Sequence, residues 1–262
     1  MSSKALAAVS KVYAECGITS PFEIPLETII SSRNIIIREE VLEGAEARIL
    51  MNENSGIITI DNRIYPSTKK RFILAHELGH FELHRNLIRG FNDTDETINH
   101  WYQYNLKSEE IEANEFAAEF LMPAELFRNE CKGKIFDHRV IEHLSNYFKV
   151  SKTAAILKFV KENNGNHPIF VVCCQNNVMK WFKKSDDFYH YSLFSRNLPP
   201  PSGSVAFDIF DKGSAYYGEE QTQQIWKSDW FETKDNEKDT IFFEYCLYVK
   251  SYNYTLSVIW EK

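Results

Sequence analysis

Apolar positions recur at helical spacing in Ala5, Ala8, Val9, Val12 and Tyr13, which predicts a helix over residues 4–15 stopped by Gly17. Pro21 and Pro25 frame a short helix at 26–31, because proline is tolerated in a first helical turn. Residues 34–39 (NIIIRE), 46–51 (EARILM) and 56–61 (GIITID) read as strands, and the turn residues NENS predict a hairpin between the last two. Residues 69–84, KKRFILAHELGHFELH, place Phe72, Ile73, Ala75, Leu78, Phe81 and Leu83 on most sides of a helix, the pattern of a buried element. Pro66 and Ser67 supply its start signals. Residues 86–107 are polar and aromatic and read as a loop or short helix. In residues 108–123, SEEIEANEFAAEFLMP, the stripe Ala113, Phe116, Ala117, Phe120 and Leu121 predicts a second long helix ended by Pro123.

Helical segments continue with ELFRNEC, RVIEHLSNYF and KTAAILKFVKEN, the last with Ser151 as N-cap and Asn163 to Gly165 as its stop. Two of them, joined by KVS, have the layout of a helix-turn-helix. From residue 166 the texture changes: IFVVCC, NVMKWFKK and SVAFDIF read as strands, Pro199 to Gly203 as a loop and 219–229 as a helix. Residues 240–250 and 254–260 alternate; Tyr254, Leu256, Val258 and Trp260 share one face opposite Thr255 and Ser257, as in a half-buried strand. The predicted class is α+β in three parts: 1–123, a helical subdomain at 124–165, and an α+β domain at 166–262.

Composition narrows this picture in three ways. The net charge of −7 argues against a broad nucleic-acid-binding face. The five cysteines are odd in number and form no C-x-x-C pair, which argues against a disulfide framework or a cysteine zinc site. The first residues lack the apolar core of a signal peptide, and no run approaches the ~20 apolar residues of a membrane span. A reduced, cytoplasmic protein with no membrane partner is expected.

The candidate chemistry lies in His76, Glu77 and His80, an H-E-x-x-H arrangement on the buried helix. Residues four apart lie nearly above one another, so both imidazoles face one pocket. Glu77 sits roughly 100° round from His76 and ~60° from His80, within reach of a water held by a metal there. Two neutral imidazoles suit Zn²⁺, and the adjacent carboxylate suits a general base. Gly79 costs about 1 kcal/mol inside a helix, which implies another backbone packed close by. A catalytic zinc needs a third protein ligand, and a carboxylate from the second helix is the usual source. Helical-wheel geometry leaves Glu109 and Glu112 as candidates, with Glu110, Glu115 and Glu119 read as solvated. His84 continues the same face, but one straight helix cannot wrap three histidines round one ion. A structural role beside the ligands is expected for it. His100, Tyr102 and Tyr104 are available as oxyanion donors, and nothing selects one.

The segments RFILAHELGHFELH and EANEFAAEFLMP, in that order, resemble the ImmA/IrrE family of zinc metallopeptidases, as do GIITID and IEHLSNYFKVSKTAAILKF. The likeness covers roughly residues 20–162. It implies a zincin-like metallopeptidase domain at 1–123, with His76 and His80 as zinc ligands and Glu77 as catalytic base. Glu112, directly before Ala113 and Asn114, matches the family's acidic position and becomes the third metal ligand, with Glu109 in reserve. Many family members cleave helix-turn-helix repressors, which implies such a protein as substrate and release of stress or mobile-element genes as outcome. Some carry a sensor-like C-terminal domain, which implies a regulatory role for 166–262. The departure is the long insertion between the two motifs. The helix KTAAILKFVKEN offers Lys152, Lys158 and Lys161, but its other residues are mainly for packing, which argues against direct DNA recognition. The competing reading is a non-proteolytic regulatory protein with a structural or sensory metal site that binds DNA or a partner. An unligated Glu77 favours the enzyme.

Overall fold

The computed structural model of the chain describes residues 3–23, 25–65, 67–87, 90–93, 108–162 and 167–262. Two compact units divide it: 1–126 with 148–151, and 127–147 with 152–262. Most of the helical stretch 124–165 thus groups with the C-terminal sheet, giving two units where the sequence suggested three parts.

The first unit opens with helices α1 (Ser3–Cys16) and α2 (Leu26–Ser32), followed by strands β1 (Ile35–Glu40), β2 (Ala47–Met51) and β3 (Gly56–Asp61). The motif helix α3 runs Ser67–His84, and α4 runs Ser108–Leu121. The hairpin forms as NENS predicts: Asn52 Oδ1 accepts from the amides of Asn54 and Ser55, an Asx turn that fixes the β2–β3 register. β1 pairs parallel to β3, and the sheet order is β1-β3-β2-β4. Strand β4 (Gly90–Asp93) falls where a loop or short helix was expected; it pairs antiparallel with β2. Its sequence GFND carries no alternating pattern, so the pairing comes from backbone hydrogen bonding to an open sheet edge. His100, Tyr102, Tyr104 and Pro66 lie outside the described residues.

Several polar ties join the helices of this unit, two of them away from the motif histidines. Tyr13 Oη donates to the Phe120 carbonyl at 2.7 Å, linking α1 to the end of α4. Arg33 at the end of α2 donates from Nε to Glu82 Oε1 on α3 at 2.8 Å.

The second unit contains α5 (Ala124–Cys131, its end), α6 (His138–Phe148), α7 (Lys152–Glu162) and α8 (Val205–Lys212) around a five-stranded sheet. Its strands are β5 (Phe170–Gln175), β6 (Val178–Lys184), β7 (Thr222–Trp226), β8 (Ile241–Val249) and β9 (Tyr254–Glu261), in the order β6-β5-β9-β8-β7. β9 is central and buried on both faces, Thr255 and Ser257 as fully as Leu256 and Val258, rather than half-buried. One face packs Phe170, Val172, Phe242 and Ile259 against α8 and Trp230; on the other, Phe136 packs at a tilt against Tyr245 and Trp260.

Two further expectations fail in this unit. SVAFDIF is helix α8, not a strand, because Ser204 caps it by accepting from the Phe207 amide and Gly213 ends it at φ 65°. The carboxylate of fully buried Glu244 also accepts from the first amides of α8, at Val205 and Ala206, and from Trp230 Nε1 and Ser257 Oγ. The segment 219–229 is not one helix: its middle is strand β7, paired with β8, between two short helical turns. Helix α7 buries Ala155 to Val160 and Glu162, so it offers no exposed basic face of the kind a recognition helix needs. Among the described residues, no helix is long and apolar enough to cross a membrane.

Candidate metal centre

Helices α3 and α4 pack face to face, and Gly79 sets how closely. A Cβ there would lie 3.1 Å from the Ala113 carbonyl oxygen and 3.1 Å from Cβ and Cδ1 of Phe116. The glycine that weakens the helix therefore admits the neighbouring backbone beside the histidines, as the sequence implied. Ala113, Asn114 and Ala117 on α4 are small enough to continue that approach, and all three are buried.

Three donor atoms meet in the seam. His76 Nε2 and His80 Nε2 lie 3.0 Å apart. Oε2 of Glu110 lies 3.3 Å from the first and 3.5 Å from the second. A tetrahedral ion with bonds of about 2.0–2.1 Å separates its donors by roughly 3.4 Å, so this triangle has the dimensions of a three-ligand zinc face. All three side chains are buried, and among the described residues Glu110 Oε2 has no hydrogen-bond partner. A buried carboxylate oxygen without a donor is costly unless a cation compensates it. Burial alone would raise the Glu110 pKa, but the two imidazoles beside it outweigh burial and hold the carboxyl well below its usual range. The residues thus fit a divalent metal.

Glu112, assigned as third ligand from the family motif, is not in this group. Its carboxylate turns the other way: Oε2 accepts from His84 Nε2 at 2.9 Å and from Lys4 Nζ at 2.7 Å. Glu109 is also elsewhere, accepting from Ser108 Oγ. Glu110 and Glu119, read as solvated, are buried; Glu119 accepts from the Ala124 amide. The physical reason is the width of the buried face of α4, which spans Glu110, Ala113, Asn114, Phe116, Ala117 and Phe120. The helical wheel leaves Glu109 and Glu112 open and sets Glu110 aside as solvated. A signal was present in the sequence: Glu110 stands three, four and seven residues before Ala113, Asn114 and Ala117, the small residues of the contact face.

Sequence reasoning also passed over Asn114 as chemistry. Its Oδ1 lies 2.9 Å from His76 Nδ1, so the amide oxygen accepts Nδ1–H and leaves Nε2 as the donor atom towards the site. Glu77 is wholly buried between the two histidines in sequence.

A buried His-His-Glu donor set that could hold a metal ion thus lies between two helices, on an H-E-x-x-H helix preceded by a small sheet. Residues 32–159 match the family model Peptidase_M78, the IrrE N-terminal-like domain. The match spans α3, α4 and the helices up to α7 and ends before the C-terminal sheet. No curated protein matches the chain. Among solved structures, a Mycobacterium tuberculosis transcriptional regulator is similar in fold, with a TM-score of 0.62 at 14% identity, over 100% of this chain and 77% of that one.

Proposed function

We propose that the first unit is a zinc endopeptidase of narrow specificity whose ligands are His76, His80 and Glu110 and whose general base is Glu77. The observation that carries this reading is the donor triangle of 3.0, 3.3 and 3.5 Å, on a helix that also buries the carboxylate of Glu77. Zinc held there would supply Lewis acidity for a scissile carbonyl and for an attacking water. Glu77 takes the proton of that water on its carboxylate and returns it to the leaving amine nitrogen. Asn114 holds the His76 ring by its Nδ1–H. Burial of all these groups keeps bulk water from the proton being moved.

The substrate we favour is a helix-turn-helix repressor whose cleavage frees stress or mobile-element genes; the support is the family model that residues 32–159 match. A cytoplasmic setting suits that substrate and the five free cysteines. The second reading, a regulator with a structural or sensory metal site, draws on the description of the Mycobacterium tuberculosis neighbour as a transcriptional regulator. One experiment separates them. The chain and its Glu77→Gln variant are loaded with zinc and incubated with a candidate helix-turn-helix repressor. Cleavage by the wild type and none by the variant supports the peptidase. An unchanged regulatory output from Glu77→Gln in cells establishes the second reading instead.

A further inference from the structure

The two metal-facing imidazoles are backed differently. His76 is held by an amide, which can present either oxygen or NH₂ to the ring. His80 is held by a second histidine: its Nδ1 lies 3.1 Å from Nδ1 of buried His84. His84 Nε2 in turn lies 2.9 Å from Glu112 Oε2, and Lys4 Nζ lies 2.7 Å from that same oxygen. The row runs from an exposed lysine on α1 through α4 to the motif helix.

The direction of every proton in this row follows from its outer end. An ionised carboxylate only accepts, and Lys4 keeps Glu112 ionised. His84 must therefore donate Nε2–H to Glu112. A neutral imidazole has one N–H, so His84 Nδ1 is left as an acceptor. His80 can satisfy it only by donating Nδ1–H, which places its lone pair on Nε2, the atom beside His76 and Glu110. The opposite tautomer of His80 would put a proton where a metal must bind.

We infer that Glu112 and His84 form an orienting arm that locks His80 in the Nδ1–H tautomer, so that Nε2 serves as the metal donor. This rests on the metal-centre reading above and adds two positioning residues, on separate helices, that touch neither substrate nor metal. Glu112 thereby has a defined place in the site although it is not a ligand.

The test uses the full chain with ¹⁵N-labelled histidine. Long-range ¹H–¹⁵N spectra of the zinc-free protein report which ring nitrogen of His80 carries the proton, and chelator competition at one fixed pH reports zinc affinity. Wild type should show Nδ1–H. Glu112→Gln, whose amide can also donate to His84, should show both tautomers of His80 and bind zinc about 10–100-fold more weakly. His84→Gln, which keeps an acceptor for His80, should bind more tightly than His84→Leu, which does not. The arm is overturned if wild-type His80 carries Nε2–H. It is equally overturned if Glu112→Gln leaves tautomer or affinity unchanged, or if His84→Gln and His84→Leu bind alike. A wild type that takes up no zinc would sink the metal-centre reading, whereas the zinc-free spectra would still decide the arm.

Discussion

Replacing Gly79 with alanine sets two opposed quantities against each other. Alanine in a helix interior is better than glycine by about 1 kcal/mol. Against that gain, the new Cβ meets three atoms at 3.1 Å, a few tenths of an ångström inside ordinary contact. Two of these are the Ala113 carbonyl oxygen and the Phe116 Cβ, which move only with the backbone of α4. Overpacking of this kind costs about 1–3 kcal/mol, so the net change in stability should lie between zero and ~2 kcal/mol of loss. The effect on the metal should be the clearer one. Glu110 is one turn from Ala113 on the displaced helix, and metal–ligand distances tolerate only about ±0.2 Å. Zinc affinity should fall by on the order of tenfold, or about 1.4 kcal/mol. Urea unfolding of the zinc-free variant and chelator competition of the zinc-loaded one measure the two terms separately. A variant that is more stable than wild type and binds zinc equally well would refute the claim that close helix approach builds the site.

Three further outcomes are expected. Glu77→Gln should retain zinc affinity within about threefold, because Glu77 is not a ligand, while cleavage of a cognate repressor falls by at least roughly 10²; retained cleavage would remove Glu77 as base. Asn114→Leu should weaken zinc binding about 10–100-fold by releasing His76 Nδ1, as competition titration can show; an unchanged affinity would mean the amide does not orient the ring. Glu244→Gln should destabilise the second unit by about 3 kcal/mol, since an NH₂ group would face two of the four donors now bonded to the carboxylate. An unshifted urea midpoint by tryptophan fluorescence would contradict that count.

The parts of this fold legible in the sequence are those where local pattern and tertiary context agree. The hairpin around NENS, the motif helix and the pair of C-terminal strands all combine a clear period with turn or cap residues. SVAFDIF misled because its alternation resembles a strand, while the deciding signals sat outside it, in the cap Ser204, in Gly213 and in a distant carboxylate at Glu244. The histidines were legible because four-residue spacing on one helix fixes their mutual geometry without any partner. The place of Glu110 was not, because it depends on which edge of a broad apolar face α4 turns towards α3. That orientation is set by Gly79 meeting Ala113 and Phe116, a contact between segments more than thirty residues apart.

The central claim is that His76, His80 and Glu110 together hold one metal ion. Zinc titration of the wild type, Glu110→Gln and Glu112→Gln by chelator competition at neutral pH tests it most directly. The account predicts one zinc per wild-type chain, a loss of affinity of at least roughly 10² for Glu110→Gln and a smaller loss for Glu112→Gln. A wild type without stoichiometric zinc, or a Glu110→Gln variant that binds as the wild type does, would contradict it.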